Sequence, residues 1–326
     1  MTAAAPDPPE TAPAPPPSGL RYRIAFFLVA SIVVALVVML PFAATSLFDD
    51  LFHSVASQVF TLAGERAPGA ATERSQVHVA VVDLDESRLR VTLRVSGHRV
   101  CPAACRSGVR IVLFSVGLDE AATAGMPPSA YVDLTADQAI VSEAVDLPIH
   151  GHPTLYPYDV YDLRLGVALG EISASQPVRP LSRPEGQDQL WLTLQEVLPR
   201  ENIGPPVALV PGESEVAKDP YPLQSLTLLR FTRPVHERVM AVLLVVLVAA
   251  AAAYAVFMRP LHDLVLNSGG LVLGVWGIRS LLSPGTASRT LIDLSLSLVI
   301  LFLLGAITFR ALEFLYERGG FRRRRA

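Results

Sequence analysis

Lysine is almost missing from this chain: Lys218 stands alone among 27 basic residues, and the others are arginines. So uniform a bias reads as nucleotide composition before any choice of function. Charge of either sign is scarce too. Charged residues make up 17% of the 326, against 51% hydrophobic ones, and the mean hydropathy is positive, +0.41. That is too apolar for a soluble protein of this length and points to a lipid bilayer as the first partner. The net charge of −3 shows no match to a polyanion, so nucleic acid is not expected as a partner.

Catalytic signatures are also missing. The chain has no GxSxG nucleophile elbow, no HExxH, no GxxxxGK[ST] phosphate loop and no paired CxxC motif. We therefore expect no enzyme, no cofactor and no metal. The nearest thing to a metal motif is "HGH", where His150 and His152 lie on one side of an extended chain and Asp159 or Asp162 can offer an oxygen. With no third histidine nearby, it reads as a solvated turn. Cysteine is limited to Cys101 and Cys105 in "CPAAC". Outside the cytosol such a pair persists as a disulfide that closes a tight turn, which is the reading preferred to a metal or redox site.

What the chain does have is apolar runs. Ile24 to Leu40 is unbroken and extends to about Leu47, enough for a helix to span a bilayer. Val239 to Met258 holds no charged side chain, and Leu291 to Phe309 holds only Asp293 near its start. Leu264 to Ser283 contains Asn267 and several glycines; Gly270 and Gly274 give it a face that another helix can approach closely. These runs predict transmembrane helices over residues 21–47, 238–258, 263–283 and 290–312. Arginines before the first and the "RRRR" after the last place both termini in the cytoplasm of a multi-pass plasma-membrane protein. A cleaved signal peptide is the alternative for the first run. Residues 1–20 are Pro/Ala-rich and are expected to be disordered, and 313–326 form a basic cytoplasmic tail.

Residues 48–237 then lie outside, and there the period changes from helical to two. In "SRLRVTLRVSG" the residues Leu89, Val91, Leu93 and Val95 alternate with Arg88, Arg90, Thr92 and Arg94. Similar stretches at Gln76–Leu84, Val109–Val116, Ala130–Leu134, Ala139–Ile149, Tyr158–Leu169, Gln189–Val197 and Leu223–Thr232 bring the count to eight strands. The expected fold class is a membrane protein of α+β type: an extracytoplasmic antiparallel β-sandwich between one N-terminal and three C-terminal transmembrane helices. The segments "SQPVRPLSRPEGQ" and "PRENIGPPVALVPGESEVAKDPYP" read as its long loops.

Two sets of residues stand out as candidate sites. Tyr156, Pro157, Tyr158 and Asp159 form a strand-start motif, in which Pro157 needs no N–H partner and Asp159 is placed to cap the neighbouring turn. Arg279 and Asp293 end one apolar run and begin the next, so they are expected to pair at one membrane interface.

Taken together, "YPYDVYDLRLGVALGE", "FTRPVHERVMAVLLVVLVAAAAAYAVF" and "GIRSLLSPGTASRTLIDLSLSLVI" resemble the membrane-protein family known as domain of unknown function 4436, from about Phe26 to Leu315. That resemblance implies an integral membrane protein without an assigned activity. The chain departs from the family pattern in "SPGTASRTLID", with Ala-Ser-Arg where small and proline residues are usual. A second, fold-level likeness is to pentameric ligand-gated channels, whose aromatic-Pro-aromatic-Asp loop Tyr156, Pro157, Tyr158 and Asp159 match. Here one helix precedes the β-domain and three follow, the cysteines do not flank the motif, and no polar pore-lining helix is visible. The leading expectation is a non-enzymatic binding module with a cell-envelope or protein partner. The alternative is a channel or transporter subunit, which implies a homo-oligomer.

Overall fold

The computed structural model describes residues 19–52, 59–63, 75–98, 107–117, 125–135, 140–173, 176–196, 198, 201–210, 221–258, 261–282 and 290–323. The expected disulfide of Cys101 and Cys105 and nearly all of the N-terminal tail fall outside them. The chain forms two compact units. One comprises Leu40–Val242 and Arg279–Ser295; the other comprises Met1–Met39, Leu243–Ile278 and Leu296–Ala326.

The first unit is built on strands. All eight expected strands form: β2 (Ser75–Asp85), β3 (Arg90–His98), β4 (Gly108–Ser115), β5 (Ser129–Leu134), β6 (Ile140–Pro148), β8 (Val160–Ser173), β10 (Leu190–Glu196) and β13 (Leu223–Thr232). Five short ones accompany them: β1 (Val59–Ala63), β7 (His150–Gly151), β9 (Gln176–Pro180), β11 (Asn202–Ile203) and β12 (Val207–Ala208). The two segments read as long loops are thus partly ordered, the first by β9 and a short helix α2 (Arg183–Gln189), the second by β11 and β12. Proline hid β9, since Pro177 and Pro180 remove two ladder donors and confine it to an edge beside β8.

One sheet runs β1-β10-β2-β3-β6 and the other β11-β13-β8-β4-β5, with β7 and β9 on β8 and β12 on β13. All the pairings are antiparallel except β10 with β2, which is parallel. Alternation explains the packing. Val91, Leu93 and Val95 of β3 and Val77, Val79 and Val81 of β2 are fully buried, and they join Ile111, Leu113, Leu163 and Leu165 of the other sheet in one cluster. At about 1.5–3 kcal/mol for each fully buried aliphatic side chain, this cluster is the main source of stability. Leu89 does not continue the β3 pattern: it ends the turn before β3 with φ 51°.

The intervening polar residues pair across strands. Arg110 of β4 stands opposite Asp133 of β5, with two hydrogen bonds of 2.7 Å to its carboxylate, and Arg90 reaches Asp85 and Asp146. Arg230 of β13 does the same to Asp162 of β8, its register partner, at 2.9 Å.

The long helices are α1 (Gly19–Phe52), α3 (Val235–Met258), α4 (Leu261–Leu282) and α5 (Leu291–Arg323). They exceed or shift the expected spans, and α5 continues into the basic tail. Among the described residues three stretches are long and apolar enough to cross a membrane: Ala30–Phe48, Val235–Phe257 and Leu291–Tyr316. The α4 helix forms as expected but is not among them, because His262, Asp263, Asn267, Arg279 and its glycines dilute the run. In the helical unit α3, α4 and α5 share a small core of Ala252, Ala255, Val256, Leu264 and Leu303.

Candidate functional site

The strand-start motif leads into the most heavily charged buried spot of the described chain. Register dictates it. Strand β13 lies between β8 and β11, with Thr232 opposite Val160 on one side and Asn202 on the other. One residue further along, the same register sets Arg233 between Asp159 and Glu201. All three are buried, and Asp159 is completely so.

Around the Arg233 guanidinium the contacts come from five places. Its Nε donates to Asp159 Oδ2 at 3.3 Å and its Nη1 to Glu201 Oε1 at 3.1 Å. Its Nη2 pairs with Glu86, which projects from the turn between β2 and β3 in the other sheet. Glu237, in the first turn of α3, lies 3.9 Å from Nη1. The ring of Tyr156 faces the guanidinium carbon with 5.2 Å to the centroid, within cation–π range. Pro234 follows Arg233 and α3 begins at Val235, so the cluster closes the strands onto the first turn of that helix. A further tie is the His236 N–H, one of the donors left over at a helix start, which donates to Ser46 Oγ of α1 at 3.2 Å.

Burial sets the electrostatics. It pushes the Asp159 carboxyl above its ordinary value, and the nearby charge of Glu237 adds to this while Tyr161 and Arg238 oppose it. It likewise pulls Arg233 down, with Glu237 working against it. The Tyr161 hydroxyl is pushed up by burial and then by the charges of Asp159 and Glu201. A planar, delocalised guanidinium suits such a place, because it can serve several carboxylates and a ring face at once.

The motif is therefore divided between roles. Tyr156 and Asp159 turn inward to Arg233, Pro157 is buried behind a cis Tyr156–Pro157 bond, and Tyr158 stays half-exposed at the tip. Beyond the turn-capping role expected of it, the Asp159 side chain serves the guanidinium that the register of β13 delivers to that position. Asp162, three residues on, goes to the surface and Arg230. Arg279 and Asp293 do meet, at 2.7 Å, and Asp293 also accepts from the Thr290 N–H at 3.0 Å while Thr290 Oγ1 accepts from the Asp293 N–H at 3.3 Å. This reciprocal cap starts α5, so the pair has a structural task.

His150 and His152 stand edge to face with centroids 5.5 Å apart, and both are exposed. No group of three or more His, Cys, Asp or Glu among the described residues is arranged to hold a metal ion. The helical unit contains a cavity of about 440 Å³ lined by Ala251, Tyr254, Asn267, Ser268, Leu271 and Leu303.

Sequence reading missed Glu86, Glu201, Arg233 and Glu237 as site residues. One signal was present: an arginine immediately before a proline, where a strand turns into an apolar helix, is a charge in a place that normally buries none. No known family model matches the chain, and no curated protein matches it either.

Proposed function

We propose that this is a non-enzymatic integral membrane protein whose β-domain, a sandwich outside the plasma membrane, binds a cell-envelope or protein partner. The helices anchor it, with both termini in the cytoplasm. The observation that carries the reading is the Arg233 cluster, which joins the motif loop, both sheets and the first turn of α3 in one buried charge group. A change in the β-domain that moves Asp159, Glu201 or Glu86 acts on the residue just before an apolar helix. Membership in the family of domain of unknown function 4436 belongs to the same proposal.

A second reading, a channel or transporter subunit, is favoured by one specific feature: the aromatic-Pro-aromatic-Asp loop lies against the arginine that precedes α3. The candidate spans also leave two thirds or more of their length uncovered by the rest of the chain, surface that either lipid or further copies can cover. Native mass spectrometry of the detergent-solubilised chain, followed by ion-flux measurement in liposomes, separates the two. The leading reading expects no closed ring and no flux; a ring that conducts replaces it with the second.

A further inference from the structure

The motif loop exposes apolar surface where a turn is ordinarily polar. From Pro153 to Tyr158 it holds no charged residue, and Leu155 and Tyr158 are 47% and 48% exposed. Single apolar residues scattered over a surface are normal, but these two belong to one turn. The Tyr158 N–H donates to the Leu155 carbonyl at 2.8 Å and the Tyr156 N–H to that of Pro153 at 3.3 Å, while the Tyr156 ring is held against Arg233. So the fold keeps the apolar tip turned outward. The acid that follows, Asp159, faces inward to the same guanidinium and puts no charge on the tip.

Ties within the β-domain unit fix the level at which this tip stands. Arg233 comes two residues before Val235, where α3 and its apolar stretch Val235–Phe257 begin. The His236 N–H meets Ser46 Oγ at 3.2 Å, and Ser46 lies two residues from the end of the apolar stretch Ala30–Phe48 of α1. Two candidate spans therefore end at one level, and Arg233 holds the loop beside it. Leu47, Phe48 and Val235 are exposed there as well. Apolar stretches of this length end where hydrocarbon gives way to headgroups, a zone that tyrosine favours because its ring is apolar and its hydroxyl wet.

We propose that the turn from Leu155 to Tyr158 is a lipid-contact site: Leu155 and the Tyr158 ring enter the nearer leaflet at the boundary of headgroups and acyl chains, and the Tyr158 hydroxyl stays among the headgroups. Continuity makes lipid the occupant. The apolar level that runs from the span ends, which lipid surrounds, extends onto the turn without a charged residue in it. The β-domain thereby gains a footing on the bilayer besides its helices. This site rests on the reading of the apolar helices as membrane spans, and the test separates the two.

The test is tryptophan fluorescence of the full chain in liposomes of phosphatidylcholine brominated either near the ester or near the chain end. It reads the emission that each variant adds to that of Trp191 and Trp276. In Tyr158→Trp the added emission should be quenched, more by the shallow bromines than by the deep ones. Tyr131→Trp should keep its emission. Tyr131 is 60% exposed but stands opposite Val112, which pairs with Ala168, about 26 Å along β8 from Val160. Leu301→Trp on α5 reports the spans and should be quenched by the deep bromines. If Leu301→Trp is quenched and Tyr158→Trp is not, the lipid-contact site is overturned while the membrane reading stands. A Tyr158→Trp emission that shifts to shorter wavelength without quenching means that protein covers the turn, and overturns the site equally. If neither variant is quenched, both readings fall. Should Tyr158→Trp fail to fold, Leu155→Trp carries the same expectation and the same refutation.

Discussion

Two Asp–Arg pairs lie three residues apart, one within the β8–β13 ladder and one just past its end, yet they occupy opposite physical regimes. Asp162 and Arg230 sit on the outer face, Arg230 well exposed, and each has water as an alternative partner. Asp159 and Arg233 are 0% and 6% exposed, and the buried Glu201 and the partly buried Glu86 share the guanidinium. An exposed pair gains little over hydration, whereas a buried one depends on its partners because neither member can return to water. The same residue types in the same register therefore make a surface ornament at one step of the ladder and a constrained junction at the next.

The largest break in that comparison is Arg233→Met. It leaves a nest of buried carboxylates without their cation and should cost about 3–5 kcal/mol in denaturant unfolding of the detergent-solubilised chain. A loss no greater than that of a surface variant would show the cluster to be solvated. Ile111→Val supplies the scale of an ordinary core defect between the sheets, expected at ~0.5–1.5 kcal/mol in the same assay. A null effect there would mean that the two sheets do not share a packed core.

The pH dependence sharpens the contrast by sign. Asp159, held above its ordinary value in the fold, contributes stability that is full below its unfolded value of 3.8 and is lost as pH rises through the folded one. Glu171 is held below its ordinary 4.5 by a hydrogen bond from Ser107 and then by Arg179, so its contribution is present above 4.5 and lost as pH falls through the folded value. Melting profiles against pH should thus flatten on the neutral side in Asp159→Asn and on the acid side in Glu171→Gln. Parallel profiles for the two variants would contradict both assignments. The smallest effect belongs to Asp162→Asn, whose melting temperature should match the wild type within error.

The strands were legible because each buries one face: Val91, Leu93 and Val95 announce β3 by alternation alone, and Tyr161, Leu163 and Leu165 do so for β8. The apolar helices were legible from length. What could not be read was partnership across distance. Nothing local to "YPYD" says that β13 will lie beside β8 and bring Arg233 to Asp159, or that Glu201, in a stretch read as loop, will flank the other side. Pairing partners that lie 74 residues apart carry no periodic signal. Strands β9, β11 and β12 were hidden for a different reason: prolines and two-residue lengths leave too little pattern to detect.

The central claim is that Asp159 and Arg233 act as one unit while Asp162 and Arg230 do not. Two double-mutant cycles measured in parallel by denaturant unfolding test it: Asp159→Asn with Arg233→Met, and Asp162→Asn with Arg230→Met. The account predicts a coupling of about 0.5–3 kcal/mol in the first cycle and none resolvable in the second. Equal coupling in both cycles, or none in the first, would contradict it.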